Sequence, residues 1–342
     1  MHIPDGYLSL ETTVPAIGAM LPIWAVALKK VKRFLKQKQI PLLSLCAAFS
    51  FVIMMFNVPL GESSVHAVGA VFIAILLGPW SACIAVSTAL FIQALVFGDG
   101  GILAIGVNCF NMAFVMPFSG YYIYKAVTGK ADITSKKGLF GIFTGSYAGI
   151  NLAALCAAIE FGIQPLLFKA ADGSPLYGYY PLSVSVPVMM FEHGLFAGPV
   201  EGIVTVAAIL YIAKFAPHLL HKTSDPDNGE EKAALLQYKS FIAGLAVLII
   251  LTPLGLMATG TAWGEWGAAE LKNRIGFIPK GFSDFSDLWK AVIPDYSISG
   301  LNAGFFSSAL GYIISAIVGI AVISVVIYIS ARLIMKEQKK NE

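Results

Sequence analysis

Repeated apolar runs, each near the length of a helix that crosses a bilayer, constrain this chain more than any other feature. A transmembrane helix needs about 20 predominantly apolar residues. Stretches of that character lie at 12 to 28, 40 to 58, 65 to 78, 79 to 97, 102 to 124, 138 to 161, 184 to 213, 240 to 258 and 304 to 331. Only 13% of the residues are charged, against about a quarter in soluble domains. The chain is therefore expected to be an all-α polytopic membrane protein.

The basic residues set its orientation. Cytoplasmic loops carry an excess of Lys and Arg, and 18 of the 23 such residues fall within 29–38, 125–137, 214–239 and 332–340. The others are Lys169, Lys272, Arg274, Lys280 and Lys290. This bias puts the amino terminus outside and the carboxyl terminus in the cytoplasm. The first cation, Lys29, lies behind the first apolar stretch, so no cleaved leader is expected. A side chain as large as His2 disfavours removal of the initiator methionine, which leaves the Met1 amine free.

One polar run, "HKTSDPDNGEEK" at 221–232, breaks any helix and reads as part of a cytoplasmic linker. It separates a seven-helix bundle, residues 1–217, from a two-helix hairpin, residues 239–342, with 218–238 as the linker. The hairpin encloses an extracytoplasmic loop, 259–303, whose Trp263, Trp266 and Trp289 suit a membrane interface or a protein contact. The third apolar stretch, Val65 to Gly78, is short at 14 residues. It reaches about 21 Å against a hydrocarbon core of roughly 30 Å. The preceding "PLGESS" is therefore expected to dip into the bundle, with Ser63 or Ser64 capping the helix and His66 held below the outer surface.

The amino end offers unusual donors. The Met1 amine, the His2 amide nitrogen and the His2 ring Nδ1 can hold one metal through a five-membered and a six-membered chelate ring. A further imidazole completes a four-nitrogen plane, which favours nickel(II) or copper(II) over tetrahedral zinc. His66 is the candidate, and the turn residues of "IPDG" can fold the terminus back toward it. Without such a partner, His2 would be incidental on a frayed end. Binding through an amine and imidazoles displaces protons, so affinity should fall on acidification.

Other polar side chains lie in the spans, where ionisable residues are functional candidates. Gln93, Asn108 and Asn111 flank a "GDGG" turn at 98–101; they either orient a liganding histidine or hold helices together. Glu192, His193 and Glu201 share "EHGLFAGPVEG". Glu201 is either an acceptor for His66 or a protonated packing residue, and His193 is a transient ligand nearer the mouth. His218 and His221 read as solvated. The four cysteines are unclustered and read as packing residues. There is no GxxxxGK[ST] loop, HExxH or CxxC sequence, so the chain is expected neither to hydrolyse ATP nor to act as an enzyme.

These residues resemble the substrate-binding membrane subunit of energy-coupling-factor transporters for nickel and cobalt, the NikM/CbiM type. The similarity covers about residues 1 to 215 and rests on "MHIPDG", "GESSVHAVGA", "QALVFGDGGILAIGVNCFNMA" and "EHGLFAGPVEG". It implies the Met1 amine, the His2 amide and ring, and the His66 ring as metal donors. Glu62, Val65 and Ala70 depart from the smaller residues expected around His66. The part beyond the linker resembles the small accessory subunit of the same systems, NikN/CbiN-like and here fused, through "TPLGLMATGTAWGEWG" and "IPDYS". The resemblance further implies a transmembrane coupling (T) protein and two cytoplasmic ATPase subunits as partners, in the plasma membrane of a prokaryote. No cofactor is implied beyond the transported metal, nickel(II) or, as the alternative, cobalt(II), and no nucleic acid. A self-sufficient permease driven by protons through Glu201 and Glu192 is the rival from another class.

Overall fold

The apolar stretches are largely helical in the computed structural model, which describes residues 1–34, 40–220, 238–258 and 260–341. Among the described residues, six helices are long and apolar enough to cross a membrane: Leu10–Lys32, Pro79–Phe97, Lys136–Leu167, Leu182–Phe215, Lys239–Met257 and Phe305–Leu333. Ile40–Met54 is apolar but shorter, and residues 105–128 form one more continuous helical run. The polar run at 221–232, and with it His221, lies outside the described residues.

Local chemistry explains where these helices start and meet. The Ser135 side chain accepts a hydrogen bond from the Gly138 N–H at 3.1 Å, capping the long helix Lys136–Leu167. That helix lies against Met116–Thr128, with Gly145 facing the Gly120 carbonyl so closely that neither position has room for a side chain. Among the described residues, three π-helical turns interrupt the helices, at Gln93–Phe97, Cys109–Val115 and His193–Ala197. Such turns are frequent at functional sites, and these three contain Gln93, Asn111 and His193.

The third apolar stretch differs from expectation. Its helix runs only over Ala70–Leu77, begins behind a left-handed Gly69, and has no serine cap. Ser63 and Ser64 belong instead to a two-stranded antiparallel ribbon, Val58–Leu60 paired with Ser63–Val65. The backbone between ribbon and helix is satisfied from other helices. Glu201 accepts from the N–H groups of Val68 and Gly69, and the Ser50 hydroxyl donates to the Val68 carbonyl. Buried irregular backbone needs such partners, and His66 sits on this segment.

The loop between the last two long helices packs down onto the rest of the chain. Its Trp289 indole donates to the Leu95 carbonyl, Ile293 N–H to Val96, and Gly281 N–H to Leu176. Trp266 is buried against Trp263 and Tyr180, with the Arg274 guanidinium over its ring. The tryptophans therefore make a protein contact.

Candidate metal centre

The first residues are threaded into the molecule rather than frayed. Met1, His2, Ile3 and Asp5 are all buried. Asn108 grips Ile3 from both sides, accepting from its N–H and donating to its carbonyl, which also accepts from the Gly101 N–H. The Asp5 carboxylate accepts from the N–H groups of Ile102, Leu103 and Ala104 at 2.9, 2.8 and 3.2 Å. It thereby satisfies the backbone donors of the turn just ahead of the helix that begins at Ile105. Tyr7 donates its hydroxyl proton to the Trp266 carbonyl.

These anchors bring His2 and His66 together, with ring centroids 5.1 Å apart. His66 Nδ1 lies 3.1 Å from the Ala67 carbonyl. Donation there fixes the proton on Nδ1 and leaves the Nε2 lone pair free. Among the described residues, neither ring nitrogen of His2 has a hydrogen-bond partner, although the side chain is only 2% exposed. The Met1 nitrogen and the His2 N–H both point at one atom, Glu265 Oε1, at 2.6 and 2.8 Å. Asp99 completes the group: its Oδ1 stands 3.4 Å from His2 Nδ1. Its Oδ2 accepts from the Tyr296 hydroxyl at 2.6 Å and from Gln93 at 3.1 Å. A cavity of about 500 Å³ opens beside His2, His66, Asp99 and Glu265.

Burial sets the charges. It lowers His2 from 6.5 to about 4, outweighing the nearby Glu265 charge, so the ring is neutral near pH 7 and free to act as a ligand. Burial alone would raise the Glu265 carboxyl, but the Met1 ammonium helps hold it below the ordinary range. Asp99 is raised by burial and by the Glu265 charge, against the Tyr296 hydrogen bond.

Of the residues singled out in the sequence, Met1, His2 and His66 meet at this centre. Asn108 holds the backbone next to His2, and Gln93 holds Asp99. Glu192 and His193 line a small pocket with Met1 and His66, and His193 Nδ1 bonds within its own helix to the Met189 carbonyl. Glu201 meets the backbone behind His66, not its ring. Asn111 lies apart, donating to Glu160 at 2.6 Å. His218 is exposed in a short turn.

Sequence reading missed three carboxylates: Asp5, taken only as a turn residue, Asp99 and Glu265. Their signals were slight. Asp99 is an acid between glycines at the end of an apolar run, and Glu265 sits between the tryptophans of "WGEW".

Apolar helices converging on a buried cluster of histidines, carboxylates and terminal nitrogens define a multi-pass membrane protein with a candidate metal centre. The chain belongs to the family described as the cobalt uptake substrate-specific transmembrane region, matched over residues 2–219, and residues 239–336 match the PDGLE domain. It is 44% identical to the fused nickel transport protein NikMN of Rhodobacter capsulatus, across 97% of this chain and 98% of that one. A solved structure of a transition metal transporter is 45% identical, spans 70% of this chain and 99% of its own, and superposes with a TM-score of 0.59. A truncated transition metal transporter is 49% identical over 62% of this chain and 98% of its own, with a TM-score of 0.58.

Proposed function

We propose that this protein is the substrate-binding subunit of an ATP-driven energy-coupling-factor importer, taking nickel(II) from the extracytoplasmic side into a plane of four nitrogens. The donors are the Met1 amine, the His2 amide and Nδ1, and His66 Nε2. The observation that carries this reading is the convergence of the Met1 and His2 backbone nitrogens on a single oxygen of Glu265. Two nitrogens aimed at one point, beside an unpartnered buried imidazole, have the layout of a chelate. Binding requires the ammonium and the amide each to lose a proton.

Nickel is preferred because planar nitrogen donors suit it, and because the Rhodobacter capsulatus relative, similar along nearly its whole length, is named for nickel. The family description names cobalt, which makes cobalt(II) the competitor to test. Residues 1–217 hold the metal, 218–238 link, and 239–342 serve as the fused accessory part, with the amino terminus outside. A transmembrane coupling protein and two ATPases supply the movement. The proton-driven alternative draws little support, since Glu201 is engaged by two backbone N–H groups.

The test is metal content after desalting, with limiting protein offered equal nickel and cobalt. The unaltered protein should hold nickel in excess, and His66→Ala should hold much less of either metal. Preferential cobalt loading would defeat the choice of metal, and undiminished loading of His66→Ala would defeat the site.

A further inference from the structure

The cavity beside the histidines contains a second set of donors, two of which the four-nitrogen plane does not use. One ligand atom from each of His2, Asp99 and Glu265 lies within 4.8 Å of the others. Two features set this apart from a chance grouping of acids. Among the described residues, both His2 ring nitrogens are buried without a hydrogen-bond partner. Asp99 is also held by one oxygen only: Tyr296 and Gln93 donate to Oδ2, while Oδ1 is turned toward the His2 ring.

We propose that His2, Asp99 and Glu265 form a mixed nitrogen and oxygen loading site, which takes the hydrated divalent cation from the cavity before it passes into the four-nitrogen plane. The proposal rests on that plane being the final site. A hydrated ion exchanges water readily for carboxylate oxygen, and an imidazole adds affinity for nickel or cobalt. Glu265 Oε1 accepts from both the Met1 amine and the His2 amide. A cation that draws Glu265 onto itself releases both nitrogens at the moment they are needed. His2 belongs to both sites, so the ion moves by exchanging ligands around a fixed imidazole.

The accessory part thereby gains a defined task. Glu265 comes from its loop, and so does Tyr296, which positions Asp99 and stacks on Phe97 at 4.7 Å. Backbone strain marks the same place, since Asp295 and Tyr296 both adopt left-handed conformations, with φ of 52° and 57°. Such strain persists where the surroundings impose it; here Tyr296 is held through its carbonyl by the Ser315 hydroxyl and through its own hydroxyl by Asp99. Without residues 260–304 the loading site lacks one ligand and the support of another.

The experiment uses the full chain, with manganese(II), which prefers oxygen donors, as the probe of the loading site and nickel(II) as the probe of the plane. Electron paramagnetic resonance should show manganese bound to His66→Ala, with affinity falling roughly 10- to 100-fold when Glu265→Gln or Asp99→Asn is added, the usual cost of losing a group that supports a metal. Nickel uptake followed by rapid filtration should slow in Glu265→Gln, with partial recovery in Glu265→Asp. Unaltered protein supplies a reading that needs no variant: nickel should displace manganese one for one, because both use His2. Manganese and nickel bound together, or manganese binding indifferent to both carboxylates, would overturn the proposal. A nickel plateau that survives His66→Ala even with Glu265→Gln and Asp99→Asn added would instead defeat the four-nitrogen plane, so the two failures are distinguishable.

Discussion

Asn108 clamps Ile3 on both faces of its backbone, its side-chain oxygen accepting from the Ile3 N–H at 2.9 Å and its amide donating to the Ile3 carbonyl at 3.1 Å. The residue after His2 is thus fixed by a helix about a hundred positions away. Asn108→Ala should weaken nickel binding roughly 10- to 100-fold, as expected for a group that orients a ligand. Isothermal titration of the variant checks this, and an unchanged affinity would remove Asn108 from the site.

Asp5 ties the same segment to the helix that follows the "GDGG" turn. Asp5→Ala leaves three backbone N–H groups without their acceptor, in a residue only 8% exposed. Hydrogen bonds to charged groups contribute about 1.5–3 kcal/mol, so the melting temperature and the nickel content should both fall. Asn at this position should recover part of the loss, since its carbonyl still accepts.

Gly6 adopts φ of +87°, and a Cβ there would lie 2.7 Å from the Phe282 Cα. Gly6→Ala therefore combines left-handed strain, about 1–3 kcal/mol, with a backbone collision against the accessory loop. Proteolysis between residues 260 and 304 should become faster in this variant than in the unaltered chain.

Buried neutral His2 makes stability depend on pH. The unfolded chain protonates His2 below its ordinary 6.5, whereas the folded chain resists until about 4. Folded stability is therefore complete above 6.5 and is lost as pH falls through that window, by about 3 kcal/mol in all. Glu265, held below its ordinary range, contributes in the same direction, and Asp99, raised, opposes it. Metal-free protein should melt earlier at pH 5 than at pH 7, with a shallower fall for His2→Asn; parallel curves would contradict the burial argument.

Much of the helical character could be read from the chain because bilayer crossing imposes long apolar runs, and among the described residues six of these runs hold helices long enough to cross. The pairing of His2 with His66 was also legible, since a chelating terminus needs only one more nitrogen and few histidines exist to supply it. The start of the third helix was not. Helix caps are read from local sequence, but residues 66–69 are satisfied by Glu201 and Ser50 from distant helices. Asp99 and Glu265 escaped notice for the same reason: each is an ordinary loop acid until packing sets it beside His2. For Asn111 sequence leaves two roles open, and its bond to Glu160 on another helix is the helix-holding one.

The most direct test of the account concerns the Met1 amine. Nickel content after desalting should be compared between protein with its native start and protein extended by a short histidine-free peptide ahead of Met1, long enough that His2 can no longer chelate with a terminal amine. Both must give the same circular dichroism. The four-nitrogen plane predicts about one nickel per chain in the first and little in the second. Equal nickel in both would mean that the terminus is not a ligand, and the centre would then have to be built from His66 and the carboxylates alone.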